Sequence, residues 1–144
     1  MDLALDEAVA AAARGEVPVG AVIVGPDRAV LARAGNRTLE LSDPTAHAEL
    51  LAIRDACAAL GRERLEDCDL YVTLEPCTMC AGAISFARIR RLYFGADDQK
   101  MGGVEHGARV FSQTTCHHAP EVYSGISDAR AAELLRDFFR AKRA

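Results

Sequence analysis

The sequence predicts an α/β fold, a three-layer αβα sandwich around a mixed central sheet. Three observations carry that reading. Strand-like apolar runs alternate with segments of helical spacing along the chain. The first two strand runs are joined by a short turn, so the chain opens on a hairpin after its first helix. The 144 residues, 50% hydrophobic and 26% charged, suit a single domain over 1–144 with a sizeable core.

Leu3, Leu5, Ala8, Val9 and Ala12 recur at helical spacing, so residues 3–13 read as a helix closed by Gly15 and Pro18. Residues 17–24 read as a buried strand, Gly25-Pro26-Asp27-Arg28 as a turn, and 29–34 as the returning strand. Asp43-Pro44 has the form of an N-cap followed by proline at the first helical position. It predicts a helix running to about residue 60, where Gly61 stops it. A short strand follows at 70–74, and Pro76 precedes a helix over 77–87. Leu92-Tyr93-Phe94 is a further strand, followed by a glycine-rich loop over 95–108 and a last short strand at 121–123. After Ser127, the residues Ala131, Leu134, Leu135, Phe138 and Phe139 mark the apolar side of a final helix.

Two short stretches carry the chemistry: His47-Ala48-Glu49 and Pro76-Cys77-Thr78-Met79-Cys80. His47, Cys77 and Cys80 make three ligands for one tetrahedral zinc, with the fourth position left open, as in catalytic rather than structural sites. Glu49 ligates nothing in this scheme and is free to move protons. Cys77 and Cys80 lie three apart at a helix start, so both sulfurs can point at one ion. Residues two apart on an ideal helix face nearly opposite ways, so His47 and Glu49 share a site only near a helix N-terminus. The metal is therefore expected between two helix N-termini. Their positive ends favour thiolates and restore the pull on bound water that two thiolates weaken. Alone, an HxE is an ordinary polar helix face and a CxxC is a redox or structural motif. In this order, with proline before the first cysteine, they indicate a catalytic zinc, one per subunit.

Composition narrows the rest. Two of five cysteines are claimed by metal, which argues against a disulfide framework and for a reducing cytoplasm. No apolar run approaches the roughly 20 residues that span a bilayer, so no membrane partner is expected. Met1-Asp2-Leu3-Ala4 does not resemble a signal peptide. A net charge of −4 argues against indiscriminate binding to a polyanion, yet two basic clusters stand out. One is Arg88, Arg90 and Arg91; the other is the tail with Arg136, Arg140, Lys142 and Arg143. Solvated surface charge is the plainer reading of both. Cys57 reads as a small core residue, Cys68 as a loop thiol without a role, and Cys116-His117-His118 as a loop rather than a second metal site.

His-x-Glu followed by Pro-Cys-x-x-Cys resembles the signature of the zinc-dependent cytidine/nucleoside deaminase superfamily, so a cytidine deaminase-like fold is implied. Glu16-Val17-Pro18-Val19-Gly20-Ala21, Gly35-Asn36-Arg37, Asp43 to Glu49, Thr73 to Ala83 and Phe94-Gly95-Ala96 are similar to the bacterial tRNA adenosine deaminases. The likeness continues through His117-His118 and into Leu134 to Arg140, covering essentially the whole chain. It implies hydrolysis of adenosine to inosine at the wobble position of a tRNA anticodon loop, by a homodimer. It also implies that Asn36 hydrogen-bonds the purine, that Val19 packs near the base, and that Asp98 and Lys100 lie along the neighbouring nucleotides. Phe139 and Arg140 would grip the flipped-out loop. An anticodon loop is already single-stranded, so extruding one base costs little. The rivals are a deaminase of free guanine or a pyrimidine nucleoside on the same fold, and a non-catalytic zinc module that binds RNA.

Overall fold

The computed structural model describes residues 1–143. Helix α1 (Asp2–Ala13) leads into the predicted hairpin, β1 (Gly20–Val24) with β2 (Val30–Gly35), paired antiparallel from Gly20–Gly35 outward. Helix α2 (Ala48–Leu60) follows, then β3 (Asp69–Leu74), α3 (Thr78–Ala87) and β4 (Arg91–Ala96). A 3₁₀ turn at Val110–Ser112, a short β5 (Glu121–Tyr123) and α4 (Asp128–Arg143) complete the described chain. The five strands form one sheet in the order β2-β1-β3-β4-β5. β1 is antiparallel to β3, while β3, β4 and β5 are parallel, which makes the sheet mixed as predicted.

Each face of the sheet buries its own apolar set. On one side Ala48, Ala52 and Ala56 of α2 and Ala81 and Ile84 of α3 close over Ile23, Val72 and the fully buried Phe94. On the other, Leu5 of α1 and Ala131 of α4 pack with Ala96. Small residues let the outer helices come close. A Cβ at Gly20 would stand 2.7 Å from the Ala8 backbone nitrogen, so only glycine fits under α1 there.

Three expectations are corrected. The strand expected over 17–24 begins at Gly20, because Val19 N–H turns back to the Val17 carbonyl at 2.8 Å. The helix expected from Asp43-Pro44 begins at Ala48. Asp43 Oδ1 instead accepts from the Thr45 backbone N–H (2.8 Å) and hydroxyl (2.7 Å), closing a local turn that competes with helix start. Cys68 does lie in the loop just before β3, but it is fully buried in the core and so has the packing role the sequence did not suggest.

The topology gathers distant segments at one end of the sheet. β3 and β4 end where β1 begins and where β2 ends, by the antiparallel and parallel registers given above. Val19 before β1, Asn36 after β2, Cys77 after β3 and Asp98 after β4 therefore meet at the carboxyl ends of the parallel strands, the usual place for a site in an α/β sheet.

Candidate active site

His47 and Cys77 are both helix N-caps, in extended backbone conformation at the starts of α2 and α3. Neither makes a side-chain capping bond, so both side chains are free to turn toward one point beyond the helix ends. Cys80 lies in the first turn of α3 and is fully buried. His47 Nδ1 stands 3.6 Å from Cys77 Sγ and 3.6 Å from Cys80 Sγ. A tetrahedral ion with Zn–N near 2.0 Å and Zn–S near 2.3 Å separates such donors by about 3.5 Å. All three ligand atoms lie within 4.8 Å of one another, and no other His/Cys/Asp/Glu group among the described residues comes together this way. The donor set, its spacing and its softness fit zinc.

Electrostatics support the same reading. The Cys77 thiol is pulled down to about 4 by the hydrogen bond it accepts from Cys80, with a further bond from His47. Cys80 is pushed up, chiefly because it keeps the proton of that pair. A dication would displace that proton, and the two helix N-termini favour both thiolates. Glu49 is 4% exposed in the first turn of α2. Burial pushes its carboxyl up to about 7, against the hydrogen bond from its own backbone N–H. A bound cation would draw it back toward the ionised form.

A cavity of about 240 Å³ opens onto this centre, lined by His47, Glu49 and Cys77 together with Val19, Asn36 and Asp98. It is below the roughly 300–1,000 Å³ of drug-sized sites, a scale suited to one flat base. Val19 and Asn36 thus line the same pocket as His47, Glu49 and Cys77. The Asn36 Oδ1 accepts from the Ala48 backbone N–H at 2.8 Å, which orients the side chain and leaves its amide N–H₂ free to donate to a ligand. Asp98 and Met101 also line a larger cleft of about 550 Å³, whose other walls include Lys100, Arg136, Phe139, Arg140 and Arg143. Lys100, Phe139 and Arg140 are therefore outside the metal pocket but next to it.

Of the basic clusters, the tail lines this cleft, whereas two of the three arginines after α3 are paired. Arg90 forks onto both oxygens of Asp69 at 3.0 Å, and Arg91 meets Glu121 at 3.0 Å. The triplet Cys116-His117-His118 braces α3: Ser85 Oγ donates to the His118 carbonyl at 2.7 Å. Sequence reasoning assigned no role to two buried carboxylates that shape the pocket rim. Glu16 accepts from the Leu39 and Glu40 backbone N–H groups at 3.1 and 2.9 Å. Glu75 accepts from residues 98 and 104–106. The signal for both was a glutamate beside apolar residues just outside a strand, Glu16 ahead of β1 and Glu75 directly after β3.

Comparisons with known proteins agree with this geometry. Residues 1–96 match the model for the cytidine and deoxycytidylate deaminase zinc-binding region. The tRNA-specific adenosine deaminase of Agrobacterium fabrum is 67% identical over 99% of this chain and 93% of its own length. A solved structure from work on A-to-I editing by tRNA:A34 deaminases at the wobble position of transfer RNA is 67% identical. It superposes with a TM-score of 0.92 over 94% of this chain and 97% of that one. A guanine deaminase structure from Bacillus subtilis is 32% identical, with a TM-score of 0.67 over 99% and 90% of the two chains. A fold, a pocket and a ligand set that agree with one another and with these relatives have one reading: the chain belongs to the cytidine and deoxycytidylate deaminase zinc-binding family.

Proposed function

We propose that this protein is a zinc-dependent deaminase that hydrolyses adenosine to inosine at the wobble position of a tRNA anticodon. The observation that carries the RNA half of this reading is the sharing of Asp98 and Met101 between two spaces. One is the metal pocket and the other a cleft walled by Lys100, Arg136, Phe139 and Arg140. A pocket for a lone base has no use for an adjoining basic, aromatic cleft, whereas a base extruded from an RNA loop needs its neighbours held. The identity to tRNA-specific adenosine deaminases points the same way.

His47, Cys77 and Cys80 hold the zinc, which when bound lowers the pKa of water and supplies a nucleophile at neutral pH. Glu49 carries two protons in turn: its carboxylate takes one from the attacking water and gives it to the purine ring nitrogen, then takes the second from the added hydroxyl and gives it to the leaving amine, so adenosine and water become inosine and ammonia. Burial of Glu49 keeps bulk water from competing for that proton. The Asn36 amide donates to an acceptor on the base, and Val19 packs against the ring. Lys100 and Arg140 hold phosphates beside the target, and Phe139 offers a face for stacking.

The proposal extends to one deaminase domain over residues 1–144, acting as a homodimer in the cytoplasm. Met79, Gly82, Ala83 and Phe86 share one face of α3, and Phe86 is 81% exposed, an apolar surface suited to a second subunit. None of the five cysteines is in a disulfide, in keeping with a reducing compartment. No helix among the described residues is long and apolar enough to cross a membrane. The test is a deamination assay on a wobble-adenosine anticodon stem-loop beside free guanine, cytidine and adenosine. Inosine in the RNA alone supports the proposal; turnover of a free base with none in the RNA refutes it.

A further inference from the structure

Glu75 and His106 carry an inference that rests on the proposed function and adds to it. Glu75 lies between β3 and Pro76-Cys77, and its side chain is fully buried. Oε1 accepts from the Asp98 backbone N–H at 3.0 Å and from His106 Nδ1 at 2.8 Å. Oε2 accepts from the backbone N–H groups of Val104, Glu105 and His106 at 3.2, 3.0 and 3.1 Å. An ionised carboxylate only accepts, so His106 Nδ1 carries the proton in this contact. The other ring nitrogen lies 3.8 Å from Asp97 Oδ2, so His106 spans both ends of the loop 97–106.

The same loop is stitched to the metal-binding strand end. Gly102 forms an antiparallel bridge with Cys77, and the Gly103 N–H donates to the Pro76 carbonyl at 2.8 Å. A side chain at Gly102 would run into the Glu75 carboxylate and the Asp98 carbonyl, so the loop closes down on Glu75 with no space between. Between these ties sit Asp98, Lys100 and Met101, which line the metal pocket, the basic cleft or both. A glycine-containing loop of this length loses much conformational freedom when ordered. One buried carboxylate with five donors, held at both loop ends, restricts it before RNA arrives.

We infer that Glu75 and His106 are positioning residues, holding the loop 97–106 so that Asp98, Lys100 and Met101 meet the nucleotides beside the target adenosine. Contacts to flanking nucleotides do not change as the base reacts, so losing them raises KM more than it lowers kcat.

The test uses the zinc-loaded full chain with His106→Leu and His106→Asn. Four backbone donors to Glu75 survive in both variants, which preserves the fold. Leucine keeps bulk without a donor, and asparagine restores an N–H close to the position of Nδ1. In His106→Leu, KM for a wobble-adenosine stem-loop is expected to rise about fivefold or more, with kcat within about twofold and zinc at one per chain. Amide exchange at residues 104–106 is expected to quicken about tenfold while α2 and β3 stay protected. His106→Asn should recover both toward the wild type. Wild-type KM and exchange in His106→Leu, or no recovery in His106→Asn, would overturn the inference. If the wild type itself does not deaminate the stem-loop, the functional proposal fails, and the exchange comparison still decides whether His106 holds the loop.

Discussion

His47 and Glu49 stand two residues apart and still face one pocket, because one is the cap of α2 and the other lies in its first turn. That placement lets a single helix end present both the proposed metal ligand and the proposed proton carrier. Cys77 and Cys80 do the same for α3 with two sulfurs. The ligand roles predict a sharp result at Cys80, which is fully buried with its sulfur facing the His47 ring. In Cys80→Ala, zinc content should fall well below one per chain and Tm should drop, since metal binding is coupled to folding. Chelation should destabilise the wild type and leave the variant nearly unmoved. Full zinc in Cys80→Ala, measured by metal analysis, would refute the assignment. The structure brings His47, Glu49, Cys77 and Cys80 to one end of the sheet, and all four stood out in the sequence because residue type and local spacing mark them.

The loops were less legible than the helices and strands that hold them. Asp43-Pro44 carries a helix-start signal, but the Asp43 side chain is consumed in a turn with Thr45, and α2 waits until Ala48. Asn36 supplies part of what that helix end lacks by accepting from the Ala48 N–H. Two substitutions separate its tasks. Asn36→Asp keeps the acceptor and loses the donor, so Tm should hold while KM for RNA rises. Asn36→Ala loses both and should destabilise by about 1 kcal/mol in a thermal melt. Equal stability in the two variants would argue against the cap. Glu16 and Glu75 escaped notice because their partners lie 22 to 31 residues onward, beyond any local pattern. Burial alone raises the Glu16 carboxyl, and hydrogen bonds from Glu40, Leu39 and Thr38 more than offset it, so the net shift is downward. The folded form therefore binds fewer protons than the unfolded form near pH 4. Its stabilising contribution is complete above the ordinary carboxyl value of about 4.3 and is lost as pH falls through the lower folded value. The Tm gap between wild type and Glu16→Gln should be widest near neutrality and close below about pH 4. A gap independent of pH in thermal melts would show that the charge of Glu16 is not what holds the loop.

For the molecule as a whole, sheet order decides which chain segments meet. The alternation of strands and helices made the mixed α/β fold readable, yet nothing local showed that the ends of β2, β3 and β4 converge with the start of β1. That convergence brings Val19, Asn36, Cys77 and Asp98 together, and α4 then adds Phe139 and Arg140 from the far end of the chain. The result is a local basic cleft on a protein of net charge −4. Asp98 moderates it: Oδ1 accepts from the Lys100 and Met101 N–H groups at 3.1 and 3.0 Å, and the carboxylate adds negative charge beside the proposed phosphate path. Asp98→Asn keeps an acceptor for the turn and removes the charge. It is expected to tighten binding to single-stranded nucleic acid severalfold at low salt and to weaken discrimination among substrates. Unchanged affinity at both low and moderate salt would place Asp98 away from the RNA.

Glu49 joins these levels, since its proposed chemistry needs the helix end, the burial and a pocket open to an RNA base together. Single-turnover inosine formation in a wobble-adenosine stem-loop should be followed with zinc-loaded wild type and Glu49→Ala side by side. The wild type should convert the RNA, and the variant, still holding one zinc per chain and melting normally, should be slower by about 10²–10⁴-fold. Inosine formed at the wild-type rate by Glu49→Ala would contradict the mechanism.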